Sequence, residues 1–327
     1  MELRKKLIIL IGILGFIVVG GIGLFFLSRS SSEVSTIFGK IERPDVDSVL
    51  RLQSKKLTID FKTPQKVPTT AQVFKIRESE ISREVAEAMA LNLGFTVDPK
   101  GRFTLTWTQG NKILDIDLDN RYLNFRNQSV KSLKGKFSTE KLAEKALKFI
   151  KQKGLPTDGL AADTVNFRLL EARGDELEAV SDSKNPVFIE IGFNRALNEY
   201  NVFYPNPTEP AAVVSLNNKG QIFWVYYKFG DINKKTSGTY PLVDIKKLEI
   251  AKLIRFGDLV YPQTGKGVFE PALIKTIAIE DFSLAYLDDQ VGEFVQPVYI
   301  LRGFATVGKE NISVVVYYPA LEERWLK

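Results

Sequence analysis

Three short fragments run in the order of a serine acyl-transfer signature: Ser181-Asp182-Ser183-Lys184, Ser215-Leu216-Asn217 and Lys235-Thr236-Ser237-Gly238. In that chemistry a Ser-x-x-Lys step opens a buried helix and supplies nucleophile and base. Here Lys184 runs straight into Asn185-Pro186, which is loop sequence, and the third fragment lacks the Lys-Thr-Gly form. The spacing is also too compressed, so chance matches explain all three. Asp115, Asp117 and Asp119 open like a calcium loop, but the sixth and twelfth positions are Asn120 and Arg126, where glycine and glutamate are needed. Strand alternation accounts for them better, with the three aspartates on the wet face and Ile116 and Leu118 on the dry one.

Paired carboxylates remain as an acid–base option for glycoside hydrolysis. Asp288-Asp289 and Glu322-Glu323 are adjacent pairs in alternating or turn sequence, and Glu80, Glu84 and Glu87 fall on the exposed stripe of a helix. Solvation explains each. The chain has no histidine and no cysteine. Disulfides, thiolate nucleophiles, imidazole bases and His- or Cys-ligated metals are therefore excluded. No residue qualifies as catalytic, cofactor-binding or metal-ligating, and no cofactor is expected. With 45 Lys+Arg against 39 Asp+Glu, the net charge of +6 is too mild for a nucleic-acid footprint. The basic pairs Lys234-Lys235 and Lys246-Lys247 read as solvated faces.

The elements that must position any such groups begin with an apolar run. Arg4, Lys5 and Lys6 precede an uncharged stretch from Leu7 to Leu27. At ~1.5 Å per residue that run spans about 30 Å, the thickness of a bilayer core. It predicts an uncleaved single-pass anchor, with residues 1–6 a cytoplasmic tip and the remainder extracytoplasmic. Residues 28–70 read as stalk and linker, with a possible strand at 57–61.

The rest reads as an α+β fold of repeated units, each a helix laid on an antiparallel sheet: 71–136, 137–235 and 236–327. Helices are expected over 79–93 (capped by Ser79, stopped by Gly94), 138–152 (capped by Ser138, ended by Gly154) and 244–255 (capped by Asp244, closed by Gly257). Strands are expected at 103–108, 113–118, 122–125, 165–170, 187–193, 200–204, 212–216 and 221–229. In the last unit they are expected at 274–279, 282–287, 298–304 and 312–318. Asn217-Asn218-Lys219-Gly220 signals a hairpin.

Within the last unit, residues 277–286, then Gln296-Pro297-Val298-Tyr299 and 315–320, resemble the closing part of PepSY-like and YycH/YycI-type extracytoplasmic domains, mainly over 240–320. Pro241-Leu242-Val243-Asp244-Ile245 resembles the helix entry of that unit. The resemblance implies a protein-binding or inhibitory module. YycH/YycI-type proteins restrain a cell-wall-sensing histidine kinase. It carries no catalytic residue over. The resulting expectation is a membrane-anchored binding or regulatory protein without catalytic activity, held in the membrane by residues 7–27. Such a protein would act on a protein partner such as a sensor kinase or protease, or on an envelope process. An Asp/Glu-dependent envelope hydrolase and a scaffold subunit of a membrane complex are the alternatives.

Overall fold

The computed structural model describes residues 34–46, 52, 56–60, 67–76, 81–173, 176–182, 184–230, 232–260, 273–308 and 310–327. In chain order the elements begin with β1 (Lys56–Ile59), β2 (Thr70–Ile76), α1 (Arg83–Leu93), β3 (Thr104–Gln109), β4 (Lys112–Asp117), β5 (Tyr122–Asn127) and α2 (Thr139–Gln152). There follow β6 (Leu160–Arg173), β7 (Glu176–Val180), β8 (Val187–Leu197), β9 (Tyr200–Phe203), β10 (Ala212–Leu216), β11 (Ile222–Lys228) and β12 (Ile232–Pro241). The chain closes with α3 (Ile250–Phe256), β13 (Asp258–Val260), β14 (Ile274–Leu287), β15 (Phe294–Val307) and β16 (Glu310–Pro319).

The first lobe is one antiparallel sheet in the order β3-β4-β5-β11-β10-β8-β6-β7. Its local signals are plain. Threonines alternate with Leu105 and Trp107 along β3, Gly110 (φ 60°) turns the chain into β4, and Asn217 to Gly220 link β10 to β11. Both α1 and α2 pack on the same side of this sheet. Ala86, Ala90 and Leu93 of α1 and Leu142, Ala146 and Ile150 of α2 share a single core with Leu105, Leu114, Leu123, Val225, Val214 and Ile191. Helical spacing puts each trio on one stripe, which a sheet face can cover.

The second lobe centres on β15. It pairs β14 and β16 along most of its length and β2 through Phe294 and Val295, while β12 lies outside β2. β1 adds in parallel to β14, and β13 pairs β16. Tyr299, Leu301, Val316, Ile277 and Leu253 belong to its core. The short strand β9 joins the lobes: it is antiparallel to β8 and parallel to β14, through Tyr286↔Val202 and Leu287↔Phe203. At this seam the Tyr317 hydroxyl donates to the Tyr204 carbonyl at 2.9 Å, and Phe74 meets the Tyr286 ring edge-on at 5.5 Å.

These observations correct the expected fold class. Among the described residues the protein is mostly β, with 50% strand and 16% helix, and these residues do not form a series of helix-on-sheet repeats. Two helices serve one core, β5 and β11 continue the same sheet across a hundred residues, and β2 and β12, where no strands were expected, form a sheet edge in the second lobe. The third helix is also shorter than its spacing suggested. Asp244 caps a 3-10 turn at Ile245–Lys247, the extended backbone of Leu248 interrupts it, and α3 starts only at Ile250. α1 begins at Arg83, capped by Ser82, while Ser79 lies outside the described residues. The strands expected at 274–279 and 282–287 are one strand, with a register shift between Ile279 and Asp281 that absorbs Glu280.

The expected single-pass membrane placement is corrected as well. Among the described residues no helix is long and apolar enough to cross a membrane, and residues 7–27 lie outside them. No described element supports a cytoplasmic tip and an extracytoplasmic body joined by one span.

Candidate binding face

Strand alternation in the first lobe gives the sheet two unlike faces. The inner face lies under α1 and α2. On the outer face, which neither helix covers, the register sets out cross-strand rows. One runs Thr106, Asp115, Asn124, Tyr226, and a second runs Thr108, Ile113, Arg126, Trp224. Tyr122 stands opposite Lys228 and Asp117 in a third.

Three partly exposed aromatic rings dominate this face. Tyr122 and Tyr226 have centroids 5.7 Å apart and planes 33° apart, and Tyr226 and Trp224 are 6.4 Å and 31° apart. They form one gently curved strip. The Trp224 indole N–H donates to Asn124 Oδ1 at 2.6 Å and so fixes the ring over β5. Partial burial, then the nearby Glu209 carboxylate and Tyr122, push the Tyr226 phenol up to about 12.

Acidic groups beside the strip are held by the neighbouring strand. Thr106 Oγ1 donates to Asp115 at 2.7 Å, and Thr104 Oγ1 donates to Asp117 at 2.9 Å. Burial alone would raise the Asp117 carboxyl, but the Asn120 backbone N–H and the Thr104 hydroxyl outweigh it and hold the group below its ordinary value. Asp117 is buried, so of the three aspartates assigned to a wet face one is enclosed.

The face ends at the seam in a buried ionic knot. Lys228 Nζ pairs with Glu209 at 2.8 Å, donates to Gln290 Oε1 at 3.1 Å and stands 4.4 Å from the Tyr204 ring centroid. Arg195 spans the same knot, donating to the carbonyls of Gly230 and Lys228 and to the Tyr227 hydroxyl. Burial raises the Asp288 carboxyl; the Gln290 N–H, Arg195 and Arg121 oppose this and Asp289 adds to it.

The residues singled out for chemistry are not assembled. Ser181 and Asp182 lie in the exposed connection from β7 to β8, where Lys184 pairs with Asp182 at 3.4 Å, and Ser183 is outside the described residues. Ser215 is buried in β10, and Asn217 holds the following turn by accepting from Lys219 N and Gln221 N. Lys235 to Gly238 sit on β12, in the other lobe. Asp289 caps a turn, accepting from Val291 N, Gly292 N and Asp45 N. Glu322 and Glu323 pair with Arg324 and Arg255 beside a recess of about 250 Å³. Glu87 pairs with Arg83, the Ser82 hydroxyl lowers Glu84, and Glu80 lies outside the described residues. Among the described residues no group of three or more Asp, Glu, His or Cys side chains is placed to hold a metal.

The aromatic strip escaped the sequence reading. Its signal was there in part: Tyr122, Asn124 and Arg126, and Trp224 and Tyr226, alternate with core residues in their own strands. What puts them together is the β5–β11 pairing. No protein-family model matches the chain, and no curated protein matches it.

Proposed function

We propose that this chain is a non-catalytic binding protein whose recognition surface is the helix-free face of the first sheet. The strip of Tyr122, Tyr226 and Trp224 carries this reading, because partly exposed rings flanked by Asp115, Asn124 and Arg126 offer both contact area and directional hydrogen bonds. The adjacent carboxylates that acid–base hydrolysis would use have structural partners: Asp289 caps a turn, and Glu322 and Glu323 pair with Arg324 and Arg255. The resemblance of residues 240–320 to modules that bind or restrain other proteins supports a binding role.

Oxidative footprinting of Trp224 tests the reading. Extract from the cells that make the protein should shield Trp224 from oxidation, read by mass spectrometry, with the extract components left chemically unchanged. Equal oxidation of Trp224 with and without extract, or turnover of a component, overturns it.

A further inference from the structure

Resting on that reading of the face, we infer that its ligand is a neutral polysaccharide chain. Each apolar C–H face of a pyranose ring is weakly positive and stacks on the negative face of an aromatic ring. A strip of three rings with planes 31° to 33° apart suits successive sugar units on a gently curved path.

The polar surroundings fit the same ligand. Sugar hydroxyls occur as neighbouring pairs, which planar groups engage two at a time, and Asp115, Asn124 and Arg126 are such groups. The row Thr106, Asp115, Asn124, Tyr226 crosses the strip at right angles, so its polar groups line one side of the rings at about 4.8 Å per strand. The bond from Trp224 uses the Asn124 oxygen and leaves the amide nitrogen as a donor.

Charge selects against the other chemistries. Lys228 and Glu209 neutralise each other at 2.8 Å, and Arg126 shares the outer face with Asp115 and Asp117, so no excess of positive charge invites phosphate or sulfate. A protein interface would be expected to have an apolar centre, whereas here Thr106, Asp115, Asn124 and Arg126 interleave with the rings.

Affinity electrophoresis in native gels containing hydroxyethyl cellulose, xylan, glycol chitin or heparin provides the test. At least one neutral polymer should retard the protein and heparin should not. Trp224→Ala and Tyr226→Ala should each weaken retardation about tenfold, the worth of roughly one stacked aromatic contact. Should either variant fail to fold, wild-type footprinting serves alone: the retarding polymer must shield Trp224 and not Trp325. The inference is overturned if no neutral polymer retards the protein, if heparin alone does, or if retardation leaves Trp224 unshielded. Shielding of Trp224 by a protease-sensitive component of cell extract would sink the polysaccharide while sparing the binding face. Absence of shielding by any fraction would remove both.

Discussion

Lys228 and Glu209 form a 2.8 Å ion pair in which the lysine is 4% exposed and the glutamate 35%. The pair is lopsided, because the ammonium has given up nearly all its water and depends on Glu209, Gln290 and the Tyr204 ring for compensation. Removing the two partners should therefore have unequal effects. Glu209→Gln leaves a buried charge short of its counter-ion and should cost about 2 kcal/mol. Lys228→Met keeps the packing over Tyr204 and removes the charge altogether, so its cost should stay within about 1 kcal/mol. Urea unfolding of both variants and of the double variant checks this, and the double variant should resemble Lys228→Met.

A pH dependence follows from Asp288, at the same seam. Its carboxyl is raised in the folded protein, chiefly by burial. The native state then binds more protons than the unfolded chain once pH exceeds the ordinary carboxylate pKa, so this residue's contribution to stability declines as pH climbs from there through the raised native value. Asp288→Asn retains an acceptor for the Gln290 N–H and cannot ionise. The difference in unfolding free energy, variant minus wild type, should become more favourable to the variant as pH rises from about 4, and level off once the native carboxyl has ionised. Denaturant melts across that range give the slope directly. A difference that runs the other way would mean that Arg195 and Arg121 outweigh burial.

How far the sequence carried can be judged at individual residues. Ser138 and Gly154 bound α2 as their types predict, because capping depends only on neighbours in the chain. The meander of β3 to β5 and the turn at Asn217 were legible for the same reason. Leu248 was not: nothing in residues 244–255 says that the backbone extends there so that Ile245 and Leu253 both reach the core. Long-range pairing was the larger gap. Whether Trp224 sits beside Asn124 is decided by β11 docking on β5, and alternation within one strand gives a face its polarity but not its neighbours. The aspartates show the same limit. Asp115 and Asp117 do share the outer face, but Asp117 is enclosed there.

The helix caps give a direct check on local structure. Ser82 Oγ accepts from Val85 N at 3.3 Å and Ser138 Oγ from Lys141 N at 3.4 Å. Ser82→Ala and Ser138→Ala should each destabilise the first lobe by about 1 kcal/mol, while replacement by Asp should hold stability within about 0.5 kcal/mol. Thermal melts followed by circular dichroism distinguish these outcomes. A neutral Ser82→Ala would place the start of α1 elsewhere.

Among the described glycines of the second lobe, Gly303 leaves the least room for a Cβ. It faces Ile279 across the β14–β15 ladder, next to the register shift, and a Cβ there would stand 1.8 Å from the Ala278 carbonyl oxygen. The obstacle is backbone, so no side-chain rotation relieves it. The strands must separate or slip, and slippage by one residue would turn Phe282 and Tyr299, whose rings meet edge-on 6.1 Å apart, out of their contact. Gly303→Ala should therefore cost more than about 3 kcal/mol or abolish folding of the second lobe. Gly308→Ala is the matched control. It lies in the β15–β16 turn at φ 61° with open space around its Cβ, so backbone strain alone applies, about 1 kcal/mol. Comparable losses in the two variants, measured by urea unfolding, would show that β14 and β15 do not approach as closely at Gly303 as their pairing requires.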